Sequence, residues 1–170
     1  MPPTATTDDD TQLATLRWAA EEARNLMAQH GLGFFWRFEF DNALSRFGCC
    51  RFRDKVITLS RHLVPLNTRA EVRDKILHEI AHALAGYAAG HGPNWKLICL
   101  RIGARPERCH AAAAPPERWG ILCTDCDQII DRRHRRAARL PRAFHIDCPK
   151  SPRVGQLTWR DLTVTVDATR

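Results

Sequence analysis

The N-terminal part of the chain has the hydrophobic spacing of a helix. Between residues 12 and 30, apolar side chains recur three or four positions apart, which places them on one helical face. These side chains are Leu13, Leu16, Ala20, Ala23 and Met27. The pattern predicts a helix from about Gln12 to His30, with Gly31 as its C-terminal stop. Residues 1–10 are polar and rich in Pro, Thr and Asp, and we expect them to form a disordered tail.

The pattern then changes to the period of a β-strand. Aromatic side chains occupy every second position between residues 34 and 40, namely Phe34, Trp36, Phe38 and Phe40. Alternation of this kind predicts a strand. Residues 47–53 and 56–60 predict two further strands, joined around Asp54 and Lys55 as a hairpin.

Two more helices are expected after the hairpin. The sequence Thr68-Arg69-Ala70-Glu71 has the form of a capping box, which marks a helix start. The helix that follows carries an apolar stripe formed by Val72, Ile76 and Ile80. Pro93 is well placed as the first residue of the next helix, which ends at Gly103.

Length and composition divide the chain into a main domain and a small module. A chain of 170 residues can form one core of ordinary size and an appendage. Residues 104–118 read as a linker, and from Trp119 onward the sequence changes to cysteine pairs and arginine runs. The expected divisions are a tail (1–10), a main domain (11–118), a cysteine-containing module (119–160) and a final strand or tail (161–170). For the main domain we expect an α+β fold, with helices packed on a small, mainly antiparallel sheet.

A candidate metal site lies on the helix that starts at Thr68, in the sequence His78-Glu79-Ile80-Ala81-His82. Histidines four residues apart lie on one helical face, so both imidazoles can reach one zinc ion. Glu79 projects toward the open side of the metal, where it can take a proton from metal-bound water. The motif therefore predicts a hydrolytic zinc site with Glu79 as the general base.

A catalytic zinc ion needs a third protein ligand and an open fourth position. His91 is the preferred ligand, because Gly86 and Gly90 can reverse the chain before it and a helix start fixes its place. Glu107 and Glu117 are the alternatives, as in sites with two histidines and a glutamate. Both glutamates fall in the predicted linker, so we rank them lower.

A second metal site is predicted in the module at 119–160. Cys123 and Cys126 form a Cys-x₂-Cys pair, His145 and Cys148 form a His-x₂-Cys pair, and eighteen residues lie between Cys126 and His145. Two such pairs are typical of a zinc ribbon, whose four filled positions make a closed, structural site. His134 is the alternative to His145, although its spacing to Cys148 is poor.

Charge and cysteine content indicate a possible partner and the cellular compartment. The net charge is +7, and residues 119–160 hold nine Lys/Arg against four Asp/Glu. A basic cluster between the two cysteine pairs could neutralise phosphates of single-stranded or non-specific DNA. The cluster consists of Arg132, Arg133, Arg135 and Arg136. The sequence has seven cysteines, no apolar run of membrane length and no export signal. We therefore expect a cytoplasmic protein whose thiols are reduced. If it binds DNA, we expect it to be associated with the nucleoid.

The segments LHEIAHALAG and GHGPNW, with the aromatic strand and the hairpin ending in VITLS, resemble the SprT-like family of zinc metallopeptidases. Bacterial SprT and eukaryotic Spartan belong to this family. The similarity extends from about Leu16 to Cys148 and implies an SprT-like zincin domain followed by a zinc ribbon. It also implies that His78, His82 and His91 bind zinc and that Glu79 is the general base. Family members usually carry two Cys-x₂-Cys pairs in the ribbon, so His145 is a departure that keeps a ligand-competent side chain.

The resemblance implies proteolysis linked to DNA, notably the removal of proteins crosslinked to DNA. We therefore expect a zinc-dependent endopeptidase with one catalytic and one structural zinc ion, acting on DNA-bound proteins, with a monomer favoured. A DNA-binding or adaptor protein that keeps a structural zinc site is the alternative. A second alternative is a zinc hydrolase that acts on a non-peptide bond.

Overall fold

The computed structural model describes residues 8–108, 112–140, 145–146, 148–150 and 156–163. The chain divides into two compact units, Met1–Pro115 and Pro116–Arg170. None of the helices in the described ranges is long and apolar enough to cross a membrane.

The first unit combines three helices with a three-stranded sheet, which confirms the α+β class. The helices are α1 (Asp8–Gln29), α2 (Arg69–Ala85) and α3 (Pro93–Ile102), and the strands are β1 (Arg37–Asp41), β2 (Gly48–Arg51) and β3 (Val56–Ser60). Two short 3₁₀ turns, Val64–Leu66 and Tyr87–Ala89, flank α2. The predicted hairpin is confirmed, because β2 pairs with β3 in an antiparallel register.

The sheet is mixed, whereas we predicted a mainly antiparallel one. Its strand order is β1-β3-β2, with β1 parallel to β3. Strand β2 runs opposite to β1, and the hairpin reverses the chain again, so β3 runs in the same direction as β1. Because β3 lies between β1 and β2, it pairs with β1 in parallel.

Two predicted boundaries are wrong. Helix α1 begins at Asp8, so the expected tail is helical at residues 8–10. Residues 1–7 lie outside the described residues. Strand β1 begins at Arg37, not Phe34. Phe34 and Phe35 occupy a turn in which the Leu32 carbonyl accepts from Phe35 and Trp36, and both phenyl rings are exposed.

The core of the first unit lies between the sheet and the three helices. The apolar stripe of α2 is fully buried at Val72, Ile76 and Ile80. Strand β3 is buried along its whole length, as expected for the central strand of a covered sheet. Trp95 of α3 is also fully buried. This core fixes α2, which carries the histidine motif, against the sheet.

Part of the predicted linker belongs to the first unit. The Asn67 side-chain amide donates to the Ala113 carbonyl at 2.8 Å and accepts from the Ala113 N–H at 2.9 Å. This pair of bonds holds the segment from residue 112 against the end of the 3₁₀ turn before α2. Short-range composition does not reveal it, because the partners are distant in sequence.

The second unit contains a small antiparallel sheet. Its central strand β4 (Trp119–Cys123) pairs on one side with β5 (Ile129–Arg133) and on the other with β6 (Leu157–Asp161). We expected a final strand or tail at 161–170; the last strand in the described residues ends at Asp161, and its Leu157 and Trp159 pair with Cys123 and Ile121. Residues 164–170 lie outside the described residues.

Candidate metal centres

Helix α2 places the histidine motif on a rigid support. Its N-terminus has the predicted capping box: the Thr68 side chain accepts from Glu71 N–H, and the Glu71 carboxylate accepts from Thr68 N–H. His78 and Glu79 are 4% and 5% exposed, so the motif begins inside the protein. The ring of His82 is half-buried, one turn further on.

The chain between α2 and α3 returns His91 to this helix. Gly86 ends α2 with φ 84°, and Gly90 ends the 3₁₀ turn with φ 49°. Such positive φ values are strained for residues that carry a Cβ, which explains both glycines. Pro93 is the first residue of α3, as predicted, so His91 lies two residues before a fixed helix start.

The three predicted histidines converge. Nε2 of His91 lies 3.1 Å from Nε2 of His82 and 3.3 Å from Nε2 of His78. Zinc–nitrogen bonds of about 2.0–2.1 Å at tetrahedral angles place ligand nitrogens about 3.3 Å apart. The structure therefore gathers three donors at the separations that a zinc ion requires.

Trp95 forms the support beneath these imidazoles. Its ring lies 4.8 Å from the His78 ring, 5.3 Å from His82 and 4.7 Å from His91, measured between centroids. Burial, aided by the positive charges of His91 and Lys75, lowers the pKa of His82 to about 4. Burial also lowers the pKa of His91. Both rings are thus kept neutral near pH 7, which is the form that binds metal.

Glu79 is held by the edge strand β2. A Cβ added to Gly48 would lie 2.8 Å from Oε1 of Glu79, so the strand passes directly over the carboxylate. The backbone N–H of Cys50 donates a hydrogen bond to it. Burial raises the pKa of the Glu79 carboxyl to about 7, against the opposing effects of Lys75, Arg46 and this hydrogen bond.

The three histidines and Glu79 line one cavity of about 660 Å³. Its wall also includes Tyr87, an exposed residue whose ring contacts Phe52 edge-on. Glu107 and Glu117, the alternative ligands, do not belong to the histidine cluster among the described residues. Glu117 lies instead in the second unit.

Three cationic side chains of the cavity wall were not predicted from the sequence. They are Arg46, Lys75 and Arg108. A signal existed for Lys75 alone, because it lies three residues before His78 on the same helical face. Arg46 and Arg108 come from a loop and from the predicted linker, and their approach depends on the tertiary fold.

The second unit brings together the four predicted ribbon residues, Cys123, Cys126, His145 and Cys148. The sulfurs of Cys123 and Cys148 lie 3.6 Å apart, and Cys126 Sγ lies 3.4 Å from His145 Nδ1. Tetrahedral zinc would separate two sulfurs by about 3.8 Å and a sulfur and nitrogen by about 3.6 Å. The cluster contains His145 and not His134.

Local hydrogen bonding favours the ionised form of one ribbon thiol. Burial opposes ionisation of Cys123, but hydrogen bonds from His145 and from the N–H groups of Asp125 and Cys126 lower its pKa to about 6. A thiolate is the form that binds zinc. The donor set thus fits a closed metal site.

The predicted basic cluster is exposed in the second unit. Arg133 forms an ion pair with Asp131 at 2.6 Å, and the Arg136 guanidinium lies 5.8 Å from the centre of the Trp119 ring. Arg132 and Arg135 are also exposed.

Comparison with known proteins agrees with the geometry of the first unit. The model of the SprT-like family matches residues 15–114, more than half of the 170-residue chain. The match ends before the second unit, although we expected similarity as far as Cys148. No curated protein and no solved structure matches the chain. The match covers α2, the His91 turn and α3, and the chain belongs to the SprT-like family.

Proposed function

We propose that this protein is a zinc-dependent endopeptidase. The observation that carries the proposal is the convergence of three imidazole Nε2 atoms beside a buried carboxylate in one cavity. Family membership supports the same conclusion, since it indicates a metallopeptidase-type domain. The cavity is large enough for a peptide segment.

Different residues of the chain would have different roles in hydrolysis. His78, His82 and His91 would hold a zinc ion, which acidifies water and polarises a carbonyl when bound. Glu79 accepts a proton from the attacking water and delivers it to the leaving amine. The Cys50 N–H and the close backbone of Gly48 fix the direction of the Glu79 carboxylate.

The alternative, an adaptor with a purely structural zinc site, explains fewer features. A structural site is closed by four protein ligands, whereas the histidine cluster provides three among the described residues. An adaptor also has no use for a carboxylate buried beside the cluster. A non-peptide substrate would use the same groups, and a substrate screen separates that case.

The test compares the wild type with Glu79→Gln on unfolded protein and peptide substrates. We expect kcat to fall by about 10²–10⁴-fold, because the general base is lost while the shape is kept. Zinc content and thermal unfolding should not change. Glu107→Gln is the matched control, since it alters an exposed glutamate that was an alternative ligand, and it should retain both activity and zinc.

Equal activity of the wild type and Glu79→Gln would contradict the assigned base. If the wild type cleaves no peptide with zinc bound, the adaptor becomes the better explanation. Loss of zinc in Glu107→Gln would instead indicate that Glu107 is a zinc ligand.

We further propose that the second unit binds DNA and brings DNA-bound proteins to the active site. The exposed arginines at positions 132, 133, 135 and 136 support this proposal, because unburied guanidinium groups can reach phosphates. Free thiols in the described residues fit a reducing compartment, and we place the protein in the cytoplasm.

A further inference from the structure

Lys75 is a buried cation on α2 that lacks an ionic partner. The residue is 9% exposed, and lysine is rarely buried unless it is paired. Within the described ranges, no carboxylate oxygen lies within 4.0 Å of its ammonium group. The neighbouring charged residues differ, since Arg73 pairs with Glu22 and Asp74 with Arg105.

The position of Lys75 links it to the candidate active site. It lies one helical turn before His78 and Glu79 and lines the same cavity. Its positive charge acts on Glu79 and on both His82 and His91. The ammonium is therefore near the reacting groups but is not part of the proposed hydrolytic machinery.

Glu79 accounts for this charge only in part, because Lys75 acts on it electrostatically without a contact within 4.0 Å. It is the one acid among the described residues of the cavity wall, and its carboxylate already accepts from Cys50 N–H. Lysine four residues before glutamate is also the less favourable order for a helical ion pair. Three cations, Arg46, Lys75 and Arg108, face this single acid, and a zinc ion would increase the imbalance.

The three cations are not equivalent. Arg46 is engaged by Asp41 at 2.7 Å, and Arg108 is exposed to solvent. Lys75 is the buried one, so only a group that enters the cavity can pair with it. A carboxylate on a bound peptide fits this requirement, and it is an anionic group that the proposed substrate itself supplies.

We propose that Lys75 is a specificity-determining residue that binds a carboxylate of the peptide substrate close to the scissile bond. This inference rests on the proposed peptidase function and specifies its substrate class. The carboxylate belongs either to an Asp or Glu side chain or to the C-terminus of the substrate.

Paired peptides separate these sources. In the first pair, Glu or Gln occupies each position flanking the cleaved bond, with both termini blocked. In the second pair, the C-terminus is free or amidated and the side chains are neutral. The proteins are the zinc-loaded wild type, Lys75→Met and Lys75→Gln, with Lys96→Met as the control because Lys96 is exposed on α3.

We expect the wild type to favour the carboxylate member of one pair by about 10–100-fold in kcat/KM, the range of one charge-assisted hydrogen bond. Lys75→Met should reduce this ratio to about one, and because the ratio compares two peptides with one protein, any general effect of the lost charge on Glu79 cancels. Lys96→Met should retain the ratio. If Lys75→Met does not fold, Lys75→Gln provides the neutral side chain.

Binding without turnover gives an independent measurement. Fluorescence anisotropy of the same labelled peptides is compared for Glu79→Gln and for Glu79→Gln combined with Lys75→Met. The carboxylate preference should be present in the first protein and absent in the second. A preference that survives the loss of Lys75 would overturn the inference.

The outcomes distinguish this inference from the function on which it rests. Cleavage with the same Glu/Gln ratio in the wild type and Lys75→Met rejects the role of Lys75 and leaves the peptidase intact. No cleavage by the wild type rejects the peptidase, while the anisotropy ratio still decides whether Lys75 binds a carboxylate. A Lys75-dependent affinity for a single-stranded oligonucleotide but not for the Glu peptide would assign the ammonium to phosphate and overturn the proposal.

Discussion

The two candidate metal centres have similar geometry but different support. The histidine cluster of the first unit rests on α2 and α3, whose buried residues belong to a core of nineteen buried side chains. The second unit has four buried hydrophobic residues among those described, and two of them are cysteines of the candidate metal cluster. They are Ile121, Leu122, Cys123 and Cys148. The first unit therefore has a core without metal, whereas we expect the second unit to need a bound ion to hold its few buried side chains together.

The two centres also differ in the number and type of their donor atoms. Three neutral imidazoles at the wall of a cavity leave a coordination position for water or substrate. Three sulfurs and one imidazole complete a tetrahedral site, which has no position left for a reactant. The comparison teaches that the first donor set, with its open position, suits a reactive metal ion, whereas the second, with its four donors, suits a structural one.

The largest expected effect is the selective unfolding of the second unit when its metal is lost. Structural zinc supplies about 10–16 kcal/mol in small domains of this kind. We expect the wild type to bind two zinc ions and Cys123→Ala and His91→Ala to bind one each. Cys123→Ala should lose the dispersed amide signals of residues 119–133, whereas His91→Ala should keep both units folded.

Amide exchange measured by NMR or mass spectrometry checks this prediction unit by unit. The control is Cys99→Ala, which changes a buried cysteine of the first unit outside both clusters. Protection of β4 in the metal-free Cys123→Ala protein would break the comparison, since the small sheet would then be stable without its ion.

Local sequence patterns predicted the elements that carry the first centre. The capping box fixed the start of α2, the apolar stripe fixed its buried face, and Pro93 fixed the start of α3. These signals act within a few residues, and the observed helices follow them. The spacing of His78 and His82 on α2 then needs no tertiary information.

The groups around the motif depended on contacts that are distant in sequence. The approach of Gly48 to Glu79 and the entry of Arg46 into the cavity follow from the pairing of β2 with β3. The parallel pairing of β1 followed from strand order, which alternation of side chains does not encode. The anchoring of residue 113 by Asn67 likewise joins segments 46 residues apart.

A smaller effect is expected when the basic cluster of the second unit is removed. Changing Arg132, Arg133, Arg135 and Arg136 to Ala should weaken binding to single-stranded DNA. If each arginine contacts one phosphate, the slope of log affinity against log salt should fall by about 3. Fluorescence titrations between 50 and 200 mM salt, about the range used for such slopes, measure it.

The matched control removes four exposed arginines of the first unit, namely Arg17, Arg24, Arg53 and Arg61. It lowers the net charge by the same amount, so a local interface predicts little change in slope. Equal losses in both variants would mean that overall charge, and not the second unit, determines the affinity. Binding that does not respond to salt would remove DNA from the account.

The smallest expected effect tests whether the first centre owes its chemistry to the strand beside it. In Gly48→Ala, the new Cβ would approach Oε1 and Cγ of Glu79 to 2.8 and 2.9 Å, which is too close for either atom to stay in place. Glu79 is buried, so its carboxylate must move by a few tenths of an ångström, and we expect kcat to fall roughly tenfold. Zinc content should remain unchanged, because the three imidazoles lie on elements other than β2.

Gly31→Ala is the control for this prediction. It adds a Cβ at a glycine that has no atom within 4 Å of that position, and its φ of 75° is strained for alanine. This variant should therefore affect stability alone. Loss of zinc in Gly48→Ala would show that β2 supports the imidazoles and not the base alone. Full activity with zinc bound would show that β2 does not position the base and that α2 alone is sufficient.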